Sequence, residues 1–507
     1  MRGRRFVVVL LILAALGIGA YASIERVLGS DLVRSGLEQQ LAARLGQPVR
    51  IGSASVSLVP RVAVVLREVI VGEPAVLRLG NVRLVTGLRP LFSRTIADAE
   101  IAVSESRVEV PQLLALLRAV ATPAASVPQT SPSLTVASVR RLALKDITLT
   151  AGQQALHVDL ESSIEGDRLD IVKLSAHGAT TRIEGRGGLT SLARLEGHLE
   201  ATADPLDIDE TIAIGTALTA SPSIELDRSA ATPAAPMPMR ITIALKAPAG
   251  RFASYTFRDL SGQLDLRPAR FALAPLSVGL LGGRFQGRAD ADTTRRTPVL
   301  RLTGTVEGLD MPEVMKATGS PGSITGRLGG TVALTAEGTD VAALMRTARG
   351  TIAAVVTNGV LPGLEMVRPI VLAFGKPSGA PTAGTGSAFS RIAGSFVLAD
   401  ATLTTDNLTL ASRDFDMAGR GTLRLTDGVV NATSDVVLSA ELTSQSGTDL
   451  RRYAQENGRV TVPATIRGSL AHPEVWIDVA AATRRAMSNE LKRRVNDFLG
   501  GLFKKKK

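Results

Sequence analysis

The chain has 507 residues, of which 45% are hydrophobic and 3% aromatic, with no cysteine and a net charge of +11. Without cysteine, neither disulfides nor thiolate chemistry are open to it, and so few aromatics argue against an outer-membrane barrel with its aromatic girdles. The positive excess invites nucleic acid or an anionic membrane. The basic excess is partly terminal, however, and elsewhere arginines are scattered across the strands with no stacking aromatics, so nucleic acid is not an expected partner.

Arg2, Arg4 and Arg5 precede an apolar run over residues 6–22, in which Phe6, Val7, Val8, Val9, Leu10, Leu11, Ile12, Leu13, Leu16 and Ile18 are the candidate anchor residues. A basic flank before roughly 17 apolar residues reads as a short membrane-spanning helix with its positive end in the cytoplasm. Ala20-Tyr21-Ala22 also fits a signal-peptide cleavage pattern, so cleavage stays open. Either way the remainder is expected outside the cytoplasm. Residues 1–23 are read as basic flank and anchor.

Residues 24–45 space Val27, Leu28, Leu32, Leu37, Leu41 and Leu45 as on a helix, which Gly46 and Pro48 stop. Short β-rich runs predict strands over 49–51, 53–58, 62–71, 76–84 and 96–110, and a short helix over 113–120. The Pro/Ser/Ala stretch 122–133 is a linker or loop. Beyond it, apolar and polar residues alternate with the period of strands. Leu142, Leu144, Leu156, Val158 and Leu160 fall on one side, and Arg141, Lys145, His157 and Asp159 on the other.

Low-complexity breaks follow at 219–239 and 376–388. Around them the alternation resumes in Ile241 and Ile243, Leu264 and Leu266, Val332 and Leu334, Leu408 and Leu410, Leu423 and Leu425, and Val436 and Leu438. Glycines recur in Gly185-Arg186-Gly187-Gly188, Gly326-Arg327-Leu328-Gly329 and Gly419-Arg420-Gly421, where they are expected at strand entries or bulges. Residues 480–507 read as an amphipathic helix ending in Lys504, Lys505, Lys506 and Lys507. The resulting organisation is a module at 24–121, a linker at 122–133, a middle meander at 134–240, a β region at 241–479 and the terminal helix at 480–507. The fold class is mainly β with a few helices.

Chemistry leaves few traces. His157, His177, His198 and His472 are isolated, without metal-ligand spacing. No nucleophile elbow or Walker lysine occurs. Asp207, Asp209 and Glu210 lack a calcium-loop pattern and fit the start of a helix. No enzymatic activity, cofactor or metal is expected.

The order of motifs resembles one family. Leu45-Gly46-Gln47-Pro48-Val49-Arg50-Ile51, Pro60, Val69 and Leu88-Arg89-Pro90-Leu91 resemble the N-terminal module of the AsmA family. Gly308-Leu309-Asp310-Met311, Arg349-Gly350-Thr351-Ile352 and Val462-Pro463-Ala464-Thr465-Ile466, with His472-Pro473, resemble its C-terminal region. The resemblance implies a bridge-like lipid-transfer protein held in the bacterial inner membrane. Its N-terminal transmembrane helix would be followed by an elongated, curved antiparallel sheet forming a groove in the periplasm.

Phospholipids and the inner membrane are the implied partners, with outer-membrane or envelope proteins as further ones. Leu264, Leu266, Val332, Leu334, Leu408, Leu410, Leu423, Leu425, Val436 and Leu438 become candidate groove-lining residues. Lys504 to Lys507 become candidate headgroup contacts. The implied role is phospholipid movement between membranes or outer-membrane lipid balance. The alternative is an assembly factor that helps outer-membrane proteins insert.

Overall fold

The computed structural model describes residues 30–477 apart from 46, 58–60, 74, 88–94, 114–134, 220–238, 296, 318–323, 362–387, 447–450, 452–453 and 470–471, together with 484, 487, 488, 491 and 495. The anchor, the linker at 122–133, nearly all of both later breaks and Lys504 to Lys507 therefore lie outside the described residues. Among the described residues, no helix is long and apolar enough to cross a membrane. The chain is mainly β with a few short helices and divides into two compact units, Met1–Ala274 and Pro275–Lys507.

The first unit opens with α1 (Ser30–Leu45), β1 (Val49–Ser57), β2 (Val62–Val71), β3 (Leu77–Thr86), the short β4 (Thr95–Ile96) and β5 (Ala99–Glu109). After β6 (Thr135–Val136) come β7 (Ser138–Ala151), β8 (Gln154–Glu165), β9 (Arg168–His177), β10 (Arg182–Ser191) and β11 (Glu196–Ala203). The unit continues through β12 (Leu206–Asp207), α2 (Ile208–Thr219), β13 (Arg240–Phe252) and β14 (Tyr255–Arg267), and its boundary falls inside β15 (Arg270–Leu280). The strands predicted over 62–71 and 76–84 match β2 and β3: β2 is rich in Val, Leu and Ile, and in β3 Leu and Val alternate with Arg and Asn.

One expectation is corrected here. The sheet is mixed, not purely antiparallel: β5 pairs with β7, and β11 with β13, in parallel. Parallel neighbours require a crossover of a dozen or more residues. The segments 110–137 and 204–239 provide these crossovers. The stretches that composition marks as linkers fall within connections that bring the chain back to run in the same direction as the strand before.

Core formation is concentrated at the start of this unit. The α1 residues Leu37 and Leu41 pack with Val49, Ile51, Leu66, Val69, Val71 and Ile101, and Val69 and Val71 have no exposed surface. The Glu38 carboxylate accepts the Ile51 amide of β1, which fixes the helix against the first strand.

The second unit contains β16 (Gly283–Asp292), β17 (Val299–Asp310), α3 (Met311–Ala317), β18 (Arg327–Glu337), α4 (Val341–Thr347), β19 (Arg349–Val360) and β20 (Ala388–Ala399). It continues with β21 (Thr402–Ser412), β22 (Phe415–Arg424), β23 (Val429–Leu438), α5 (Ala440–Gln445), β24 (Gln455–Glu456), β25 (Arg459–Ser469) and β26 (His472–Ile477). From β16 to β23, then β25 and β26, each strand pairs antiparallel with the next.

Of the recurrent glycines, Gly326 stands at the entry of β18 and Gly185 and Gly187 flank a bulge in β10, whereas Gly329, Gly419 and Gly421 lie inside strands. Gly330 and Gly350 have φ of +153° and +149°. A Cβ at either would run into a carbonyl oxygen of the adjacent strand, Ala353 or Ala333 respectively, so only glycine lets these backbones approach.

A closed core occupies one end of the unit. Phe389, Leu410, Phe415, Met417, Val436, Leu438, Leu442, Val460 and Val462 pack together, with α5 seated by Ser439, whose Oγ accepts the Leu442 amide. Leu438 is fully buried whereas Leu423 on the neighbouring strand is half-buried. Leu438→Ala should therefore cost about 2–5 kcal/mol in urea unfolding, through lost transfer energy and the cavity left behind. Leu423→Ala should cost markedly less, and equal losses would contradict the division between closed core and open face.

Candidate functional site

Residues directly opposite in a ladder point to the same side of the sheet. In the first unit one such row runs Ile171, Gly187, Leu199, Ile243 and Leu264 across β9, β10, β11, β13 and β14. A second row runs Leu169, Leu189, Gly197, Ile241 and Leu266. All ten residues are half-buried, unlike the sealed residues under α1. Away from these rows, Ala151 of β7, Ala176 of β9, Ala203 of β11 and Ala247 of β13 are buried. Helix α2 lies against β7, β8, β12 and β13.

The second unit repeats the arrangement. A row runs Leu302, Leu334, Gly350, Leu398, Leu403, Leu423, Val430 and Gly468 across eight strands, from β17 to β25. Beside it lie Val332 opposite Ile352, and Leu408 opposite Gly419. Leu334, Leu403, Leu423, Val332, Leu408 and Leu425 are half-buried.

Seven of the ten candidate groove residues thus lie on half-buried apolar surface: Leu264 and Leu266 in the first unit, and Val332, Leu334, Leu408, Leu423 and Leu425 in the second. Leu410, Val436 and Leu438 are instead parts of the closed core beside α5. Sequence alternation places all ten on the apolar side but cannot tell where a helix folds back over it.

The opposite side is polar and charge-paired. Arg424 binds Asp427 at 2.8 Å, Arg349 binds Glu337 at 3.0 Å and Arg186 binds Glu200 at 2.8 Å. Such exposed pairs contribute little energy, but they keep the arginines off the apolar side.

The acidic cluster is structural. Asp209 and Glu210 occupy the first turn of α2, and Asp207 Oδ1 accepts the Glu210 amide. Asp207 also receives Arg251 at 2.5 Å. The Glu210 carboxylate gathers the amides of Ala179, Thr180 and Thr181 and the Thr180 hydroxyl, tying α2 to the β9–β10 turn. Among the described residues, no group of three or more acidic or histidine side chains is placed to hold a metal ion.

Two histidines that are isolated in sequence do meet. His157 and His177 stand opposite each other on β8 and β9. The signal that would have paired them is the turn at Gly166 and Asp167, about which the two alternating strands fold.

Residues 239–415 match the model of the AsmA family. That stretch, about a third of the chain, is similar to the AsmA family, and the match supports membership of it. No curated protein and no solved structure matches the chain. The AsmA stretch takes in Leu264, Leu266, Val332, Leu334, Leu408 and Leu410, so most of the half-buried candidates lie within it.

Burial tends to raise the Glu210 carboxyl, but the donations from Thr180, Thr181 and Ala179 outweigh it and lower it from 4.5 to about 2. A depressed carboxylate stabilises the fold fully above its unfolded value and loses that contribution as pH falls toward the folded value. The attachment of α2 should therefore weaken between about pH 4.5 and pH 2. Glu210→Gln should cost about 1–2 kcal/mol at neutral pH, discounted for its partial exposure, and should flatten this acid limb. An unchanged acid limb in the variant would contradict the assignment.

Proposed function

We propose that the chain works in the bacterial cell envelope as a holder and conduit for phospholipid acyl chains, laid along the apolar side of its strands. The observation that carries this reading is the half-buried apolar row through Leu334 and Leu423. A sheet face rich in Leu, Ile and Val normally seals against another layer, as it does under α1 and beside α5. Left half-open, it offers acyl chains about 0.8 kcal/mol for each CH₂ removed from water. The gain depends on area and not on side-chain identity, so chains can slide along the row. The process is passive and needs no cofactor.

In this reading residues 6–22 hold the protein in the inner membrane with the bulk of the chain in the periplasm. Lys504 to Lys507 meet anionic headgroups. The role served is phospholipid movement between membranes or outer-membrane lipid balance.

Leu334→Asp and Leu423→Asp place a charge on the row at leucines that are half-buried and outside the closed core. Both variants should stay folded by circular dichroism, yet release fluorescent phospholipid that the parent protein carries. Folded variants that carry lipid as well as the parent would defeat the conduit reading and leave a scaffold for outer-membrane protein assembly in its place.

A further inference from the structure

The polar side of β8 and β9 carries two imidazoles that the lipid reading does not use. His157 and His177 are directly opposed in the antiparallel ladder, while their neighbours Val158 and Ala176 pair on the apolar side. The two rings stack with centroids 4.8 Å apart and an interplanar angle of 18°. His157 is half-buried and His177 is exposed. On the adjacent strand Thr148 stands opposite His157, with its Oγ1 3.1 Å from His157 Nδ1. Arg182 stands opposite His177, and one rung along Asp159, Ser175 and Glu184 share the face, so charges of both signs surround the pair.

We infer that His157 and His177 form a two-imidazole site for a divalent transition-metal ion. Directly opposed residues hold their Cβ atoms ~4.5–5.5 Å apart, close enough for two ring nitrogens to converge on one ion once the exposed His177 ring turns out of the stack. The ladder fixes both backbones beforehand. Thr148 completes the arrangement: when its Oγ1 accepts the Nδ1 proton of His157, the lone pair lies on Nε2, which is then the nitrogen free to ligate a metal. Outer partners of this kind orient ligating histidines and strengthen binding. Imidazole ligands select copper, nickel or zinc over calcium and magnesium, which prefer oxygen. Water fills the remaining coordination positions, and Asp159 lies one rung away.

Calorimetric titration of the full chain with nickel chloride, and with magnesium chloride as control, tests the assignment. The expected result is one saturable nickel ion per chain and none for magnesium. His157→Gln and His177→Gln should each weaken nickel binding by at least about tenfold, and Thr148→Val by roughly tenfold. His198→Gln and His472→Gln should leave it unchanged, with circular dichroism the same throughout. Absence of saturable nickel binding, or binding retained in the His157→Gln/His177→Gln double variant, would overturn the site.

Discussion

Cross-strand register is the constraint on which the rest of the structure depends. Side chains alternate between faces with a period of two, so a slip by one residue would turn every leucine to the other side. In the second unit one row stays aligned across eight strands, from Leu302 to Gly468, while bulges shift the register elsewhere in three of the ladders. Backbone hydrogen bonding makes the ladder, and alternation sorts it into an apolar side and a charge-paired side. Large and small residues mix within each row: Gly187 lies between Ile171 and Leu199, and Gly350 between Leu334 and Leu398. These glycines lower the floor locally and let the backbones come close.

Where the apolar side is sealed, the chain obtains stability; where it is left half-buried, it provides the surface that the proposed conduit would use. Helix α1 seals the first strands of one unit, and α5 with β25 seals the end of the other. Both cores lie next to strands whose equivalent residues remain half-buried. This division lets Leu438 and Leu423, both leucines on the apolar side of neighbouring strands, do different work. One anchors the fold, and the other is the residue that the proposal assigns to an apolar ligand.

Much of this was legible in the sequence, since alternation depends only on residue type. The strands β2, β3 and β5, the stop at Gly46 and Pro48, and the helix start at Asp207 to Glu210 all follow from local rules. The parallel pairings were not legible, because they depend on where a long connection returns the chain. Nor was the burial of Leu410, Val436 and Leu438, which is decided by α5 and β25 folding back from later in the chain. The meeting of His157 and His177 was hidden for a related reason: it needs the register of a hairpin, not a spacing along one strand.

The most direct measurement is photo-crosslinking in cells, with a photoreactive residue at Leu423, at Arg424 on the opposite face, and at Leu438 in the closed core. The account predicts phospholipid adducts at Leu423 and none at Arg424 or Leu438. Intramolecular or protein adducts alone at Leu423, or equal lipid capture at Arg424, would contradict it.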